Sequence, residues 1–188
     1  MSVSVELRRA VSRGELELRY EPRLDTQTGL AVAAEAVLHW QPPSGAALEG
    51  DELLDLVTAA DLGREIVEWS LEQVVHALAA WKAEGLQCLP VRLCVSLSQV
   101  TAGEMLQLVR RAMREGLDPR LLIVEWQQSP ALDAMPAADK EALMELAQLD
   151  VRLGIGGFGA RQSSLACLAA LPLTEARLDA SLINGIAA

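Results

Sequence analysis

Side chains that hold soft metals are scarce in this chain. Its 188 residues include three cysteines (Cys88, Cys94, Cys167) and two histidines (His39, His76), none at the spacing of a ligand set. A structural zinc site takes four such ligands, so neither zinc nor another metal is expected, and no cofactor. An odd number of unspaced cysteines gives no disulfide framework either, and reduced thiols in a cytoplasm fit best. Basic residues are the second shortage. Lys and Arg number 16 against 26 Asp and Glu, for a formal net charge of −10. A nucleic-acid binder gathers cations to meet phosphates. Here the densest basic cluster, Arg110, Arg111 and Arg114, reads as the solvated face of one helix. Nucleic acid and bulk membrane attraction are disfavoured, although a local site can take a small anion against the net charge. Third, no stretch reaches the ~18 uncharged apolar residues of a membrane span, so no membrane insertion is expected. MSVSVELRRAV also lacks the basic start and long apolar run of a signal peptide. No Ser-, Pro- or Gly-rich linker divides the chain, so one domain over residues 1–188 is expected.

Hydrophobic residues make up 51% and charged residues 22%, enough apolar material for one sizeable core. The periodicity predicts a short amphipathic helix over 3–13, then an alternating strand at Leu16–Tyr20. DTQTG at 25–29 is a turn, and a second strand over 30–38 makes an antiparallel pair with the first. Helices follow at 51–60 and 63–84, and an apolar run at Val91–Val95 suits a buried strand. Thr101 and Glu104 form a capping box, starting a helix that Gly116 closes. Then come a strand at Leu121–Glu125, a helix over 138–149 and a strand at Val151–Ile155. A loop at Gly156–Gly159, a helix at Ser163–Leu171 and a short strand at Glu175–Leu178 complete the order. Alternation of helix and strand after an opening hairpin implies an α/β fold with parallel strands. Ligands in such folds gather at the carboxyl ends of the strands. That narrows the functional question to Glu35–Trp40, Cys94–Ser98, Glu125–Ser129, Gly156–Gly159 and Asp179.

Those segments carry a resemblance. LRYEPRLDTQTGLAVAAEAVLHW is similar to the opening of EAL domains, with YQP, a tight turn, then EAL and LRW. CVSLSQV resembles their NVS segment, VEWQQSP their E-[IV]-T-E-S segment, GIGGFGARQSSLACLAALP their DDFGTGYSSLSYLRRLP, and ARLDASLI their KID segment. The likeness runs in order from about residue 6 to 186. It implies a TIM-like (β/α) barrel whose first strand is antiparallel, and cleavage of cyclic di-GMP to a linear dinucleotide with divalent cations. Carried over by position, Glu35 stands at the EAL glutamate and Glu125 at the first glutamate of the fourth-strand motif. Cys94 replaces an asparagine, Gln128 the second glutamate, Gly156 and Gly157 two aspartates, and Arg177 a lysine. Phe158 and Asp179 are retained, while Glu21 and His39 replace nucleotide-contacting residues.

Magnesium wants several hard oxygen ligands, and two-metal cleavage needs carboxylates enough for both ions. Arginine stays protonated where a lysine could work on water. On that count of substitutions the resemblance implies a domain that is not an enzyme. It would regulate bacterial signalling through a protein partner or a second copy. The ligand-contacting residues implied are Glu21, Glu35, His39, Glu125, Gly156, Gly157, Phe158 and Asp179. The alternative is a receptor that binds cyclic di-GMP without cleaving it. A further alternative reads GIGGFG as a dinucleotide-cofactor fingerprint, with Asp179 about twenty residues on. His76, mid-helix among apolar residues, reads as structural, and Trp40 and Trp126 read as core. A TIM barrel has eight strands; roughly six are legible, so an incomplete barrel is expected, ending before the last strands, with edges that favour a partner.

Overall fold

The computed structural model describes residues 3–43, 45–96, 100–127, 135–159 and 169–184. The chain divides into two compact units, Met1–Leu93 and Cys94–Ala188, with the boundary inside one strand.

The first unit opens with helix α1 (Val3–Arg13) and the hairpin of β1 (Leu16–Leu24) and β2 (Ala31–Trp40). The hairpin pairs antiparallel from Leu16 opposite Trp40 to Leu24 opposite Ala31, with an irregularity between Arg23 and Leu24. Its turn is built locally. The Asp25 carboxylate accepts from the N–H groups of Gln27 and Thr28 and from the Thr28 hydroxyl. These bonds hold the Asp25 carboxyl below its ordinary range. Gly29, at φ 70°, supplies the left-handed step that brings the chain back. A two-residue strand, β3 (Leu48–Glu49), pairs with the end of β2, followed by α2 (Gly50–Ala59) and α3 (Gly63–Ala83). The first residues of β4 (Val91–Ser96) then run parallel to β2, Ala34 opposite Val91 to Ala36 opposite Leu93.

Strand alternation sorts the hairpin into two faces. Leu16, Leu18, Leu38 and Trp40 pack with Leu7 and Ala10 of α1, Leu53 and Val57 of α2 and Ile66 of α3. Glu17, Arg19, Glu21 and Arg23 of β1, with Glu35 and His39 of β2, take the opposite face. Tyr20 sits on the packed side, its ring edge-on to Trp81 at 5.0 Å and 77°, and its hydroxyl donates to the Gln73 carbonyl at 3.3 Å. Burial pushes its phenol from 10.0 up to about 12, because the phenolate loses hydration there. The folded state therefore binds this proton more tightly than the unfolded chain does. The associated stability is complete below pH 10.0 and is lost as the pH rises toward about 12. With a single tyrosine in the chain, tyrosinate absorbance reads this group alone. A midpoint near 12 is expected in the folded protein; a midpoint at the ordinary phenol value would show that the ring is not buried.

The second unit takes the end of β4, then α4 (Ala102–Arg114), a 3-10 turn (Pro119–Leu121), β5 (Leu122–Gln127), α5 (Ala137–Gln148), β6 (Arg152–Phe158), β7 (Glu175–Leu178) and a short closing helix (Ala180–Ile183). The capping box is present: the Glu104 N–H donates to the Thr101 hydroxyl at 3.2 Å, and the Thr101 N–H to the Glu104 carboxylate at 2.9 Å. β5, β6 and β7 run parallel, β6 in the middle. Leu122 to Trp126 are all buried, as a strand covered on both faces requires.

One expected loop is strand instead. β6 continues through Gly156, Gly157 and Phe158, with Phe158 opposite Leu178 and an irregularity after Ile155. Glycines signal a turn locally, and here they form the irregularity between the pairs Ile155–Ala176 and Phe158–Leu178, with Gly157 at φ 66°, before the strand pairs again with β7 at Phe158. The expected helix at Ser163–Leu171 lies largely outside the described residues; Ala169 and Ala170 are helical. Among the described residues no helix is long and apolar enough to cross a membrane.

Candidate functional site

In the first unit, the candidate residues share the face of the hairpin opposite the helices. Glu35 is midway along β2, not at its carboxyl end as the sequence suggested, because the strand runs on to Trp40. Glu21 stands directly opposite it. Two carboxylates facing each other across a strand pair repel. Arg23, one step along the same face, reaches diagonally and closes an ion pair with Glu35, Nη1 to Oε2 at 2.8 Å. On the other side, Arg92 of β4 occupies the position opposite Glu35 and is buried. His39 is buried too, with Nδ1 3.7 Å from the exposed carboxylate of Glu17, its register partner. Trp40 is fully buried and belongs to the core.

In the second unit, Glu125 is the centre. Its side chain is 0% exposed, and Arg177 of β7 donates from Nε to Oε1 at 2.9 Å. The Cys94 thiol donates to the same oxygen at 3.7 Å. Between β5 and β7 lies β6, which is bare where the pair crosses it. A Cβ at Gly156 would fall 2.7 Å from Glu125 Oε1 and 3.5 Å from Arg177 Nη2, and one at Gly154 would fall 3.6 Å from Glu125 Cβ. A Cβ at Gly157, which has φ 66°, would fall 3.9 Å from Asp179 Oδ2. Asp179 caps the closing helix, accepting from the Ser181 N–H at 2.9 Å and its hydroxyl at 2.6 Å. The Asp179 N–H donates to the Phe158 carbonyl at 3.0 Å, so these two residues are tied together. Trp126 is buried.

The structure thus brings Glu125, Gly156 and Arg177 together, and separately ties Phe158 and Asp179. Gln128 lies outside the described residues. Reasoning from sequence missed the partners Arg23, Arg92 and Arg177 and the lane residue Gly154. A signal existed for Arg23, which follows Glu21 by two and so shares its face. Arg177 was singled out at the lysine of the KID segment, but nothing in the sequence paired it with Glu125, two strands away. GIGGFG does not form the turn a dinucleotide fingerprint requires, since Gly156 to Phe158 are strand.

A divalent cation can be tested against these donors. Glu125 and Glu35 each offer hard carboxylate oxygens of the kind magnesium prefers. The Cys94 thiol beside Glu125 is soft and a poor match, and Arg177 already bonds the oxygen nearest to it.

Antiparallel entry hairpin, parallel strands and alternating helices place the chain among α/β domains that present carboxylates on their strands. The family model for the EAL domain matches residues 4–188, and the chain belongs to this family. The chain is 30% identical over 183 residues to the MucR bifunctional diguanylate cyclase/cyclic di-GMP phosphodiesterase of Pseudomonas aeruginosa, covering 97% of this chain and 27% of that one. A cyclic di-GMP phosphodiesterase of the same organism is 27% identical over 173 residues, covering 90% of this chain and 29% of that one. The chain therefore spans less than a third of the length of these curated relatives. Among solved structures, the MucR phosphodiesterase in complex with c-di-GMP is similar at a TM-score of 0.85 and 30% identity, covering 97% of this chain and 74% of that one. The EAL enzyme Bd1971, bound to cAMP and cyclic di-GMP, is similar at a TM-score of 0.86 and 18% identity, covering 98% and 51%. The fold is the TIM-like α/β barrel type of the EAL domains.

The expectation that this domain is not an enzyme is corrected here. Two relatives that match 97% and 90% of its length, and a solved structure that matches 97%, are named as phosphodiesterases, which points to an enzyme. The expectation rested on counting substituted side chains. Hard cations also take backbone carbonyls and water as ligands, so such a count does not decide the chemistry.

Proposed function

We propose that this chain is a cyclic di-GMP-directed domain of the phosphodiesterase type. The observation that carries the reading is the match, over 97% of the chain, to a phosphodiesterase solved with c-di-GMP. The chemistry of the residues is consistent with it. A cyclic dinucleotide presents two phosphodiesters and two purines, so it needs cationic and hydrogen-bonding partners. In the first unit we assign ligand contact to Glu21, Glu35 and His39; in the second, to Glu125, Gly156, Gly157, Phe158 and Asp179. Divalent cations, where bound, would polarise the phosphodiester and supply an activated water. The hard carboxylates available to such ions are Glu35 in the first unit and Glu125 in the second, each paired with an arginine. Arg23 and Arg177 position these two side chains, and their charge offsets the repulsion between carboxylate and phosphate.

The test is a calorimetric titration of the full chain with cyclic di-GMP in magnesium, with product analysis afterwards. Saturable heat and a linear dinucleotide product are expected. Glu35→Gln should lower the product rate by at least about tenfold, the scale on which an electrostatic contact to reacting groups acts. Absence of heat up to roughly millimolar ligand, a regime worth only ~4 kcal/mol, would sink the reading. Product that persists unchanged in Glu35→Gln would assign the activity to a contaminant.

A further inference from the structure

Strand β1 ends the sheet. Among the described residues it pairs with β2 alone, so the other side of its nine-residue backbone is an edge. An edge presents N–H and C=O groups in the geometry that receives another strand. Edges are usually protected by shortness, by lysines or by proline. β1 is long, has no lysine, and its Pro22 withholds one N–H. The irregularity near its end leaves β1 itself regular, because the additional residue, Val32, belongs to β2.

The charges along this strand are complementary to themselves read backwards. Glu17, Arg19, Glu21 and Arg23 alternate in sign on one face. The first three are exposed and Arg23 is half-buried. A second copy of β1, laid antiparallel about a two-fold axis at Tyr20, sets its Arg23 opposite Glu17 and its Glu21 opposite Arg19. The same two pairs recur beyond the axis, so all four are attractive. On the other face the exposed Leu24 meets Leu16, and Leu18 meets Pro22. Opposite charges directly across a strand pair stabilise it, and like charges destabilise it. A slip of two residues sets either Arg19 or Glu21 against itself. A slip of one puts charged positions across from apolar ones. Parallel pairing in register sets every charge against its like. Within one chain, Arg19 closes only on its exposed neighbour Glu17, at 3.2 Å, a kind of pair worth little. Arg23 spends Nη1 on Glu35 and keeps further N–H donors.

We propose that two copies of this chain associate through β1, edge to edge and antiparallel about Tyr20. The association is isologous and closed, since each copy uses its own β1 edge in making it. It requires no nucleotide and does not depend on the phosphodiesterase reading.

Sedimentation velocity of the full chain, without ligand, tests this. Wild type should dimerise with a Kd in roughly the micromolar range. Arg19→Glu and Glu21→Arg each place like charges at both symmetric positions, and each should weaken the dimer at least about tenfold. An equimolar mixture of the two variants should dimerise as wild type does, because each supplies the charge the other lacks. Wild type remaining monomeric up to about 100 μM, a dimer indifferent to either substitution, or a mixture that does not recover would each overturn the proposal. Amide exchange of wild type gives a reading free of substitution. Amide protons of β1 should exchange more slowly as the concentration rises through the dimer range, and slowing that spares β1 would place the contact elsewhere and overturn it.

Discussion

Arg177→Met is expected to lower the free energy of unfolding by about 3 kcal/mol, the low end of the ~3–5 kcal/mol seen when one partner of a buried pair is removed. The low end applies because 30% of the Arg177 side chain is exposed, whereas that of Glu125 is fully buried. For a chain of this size such a loss corresponds to a fall in Tm of about 6–12 °C. Urea unfolding followed by far-UV circular dichroism measures it. Two companion variants decide the cause. Arg177→Lys keeps the charge but loses the Nε–H that donates at 2.9 Å, so it should recover only part of the loss. Glu125→Leu combined with Arg177→Met removes the buried charge as well and should recover most of it, since apolar replacement of a buried pair is often neutral. If Arg177→Met is as stable as wild type, the crossing pair does not hold β5 and β7 across β6.

Gly156→Ala should cost about 1–3 kcal/mol, the usual penalty for overpacking. The reason is contact and not backbone strain. The added methyl carbon would fall 2.7 Å from Glu125 Oε1. An exposed carboxylate would swing aside, but this one is buried and bonded to Arg177. Gly103→Ala in α4 is the matched control. Nothing lies within 4 Å of its added carbon, so it should be neutral or stabilising by up to about 1 kcal/mol, the helical preference for alanine. Gly156→Ala and Arg177→Met should also be less than additive together, because a carboxylate released from the guanidinium can yield to the methyl group. A double-mutant cycle reads that coupling directly. Full additivity would mean that the glycine and the ion pair are independent.

The parts of this fold legible in the sequence are those set by short-range chemistry. Thr101 and Glu104 announce a helix start because each satisfies a backbone donor three residues away. The turn at Asp25–Gly29 follows from one carboxylate and one left-handed glycine. Glu175–Leu178 was readable as a short strand. The glycines at 156 and 157 misled because the kink they make, with Gly157 at φ 66°, lies inside a strand that pairs again with β7 at Phe158. Asp179 was singled out as a ligand position, and in the structure it also caps the closing helix, a role visible only once the helix is seen to begin there.

Element order, capping, the hairpin and the family were legible in the residues, because these follow from neighbours along the chain and from motifs in order. Tertiary structure alone decided which charges meet. Arg23 finds Glu35 through hairpin register, and Arg177 finds Glu125 across a strand left bare by Gly154 and Gly156. Side-chain pairing across a sheet depends on register and on what the intervening strand omits, and neither quantity is written in the spacing of residues along one chain.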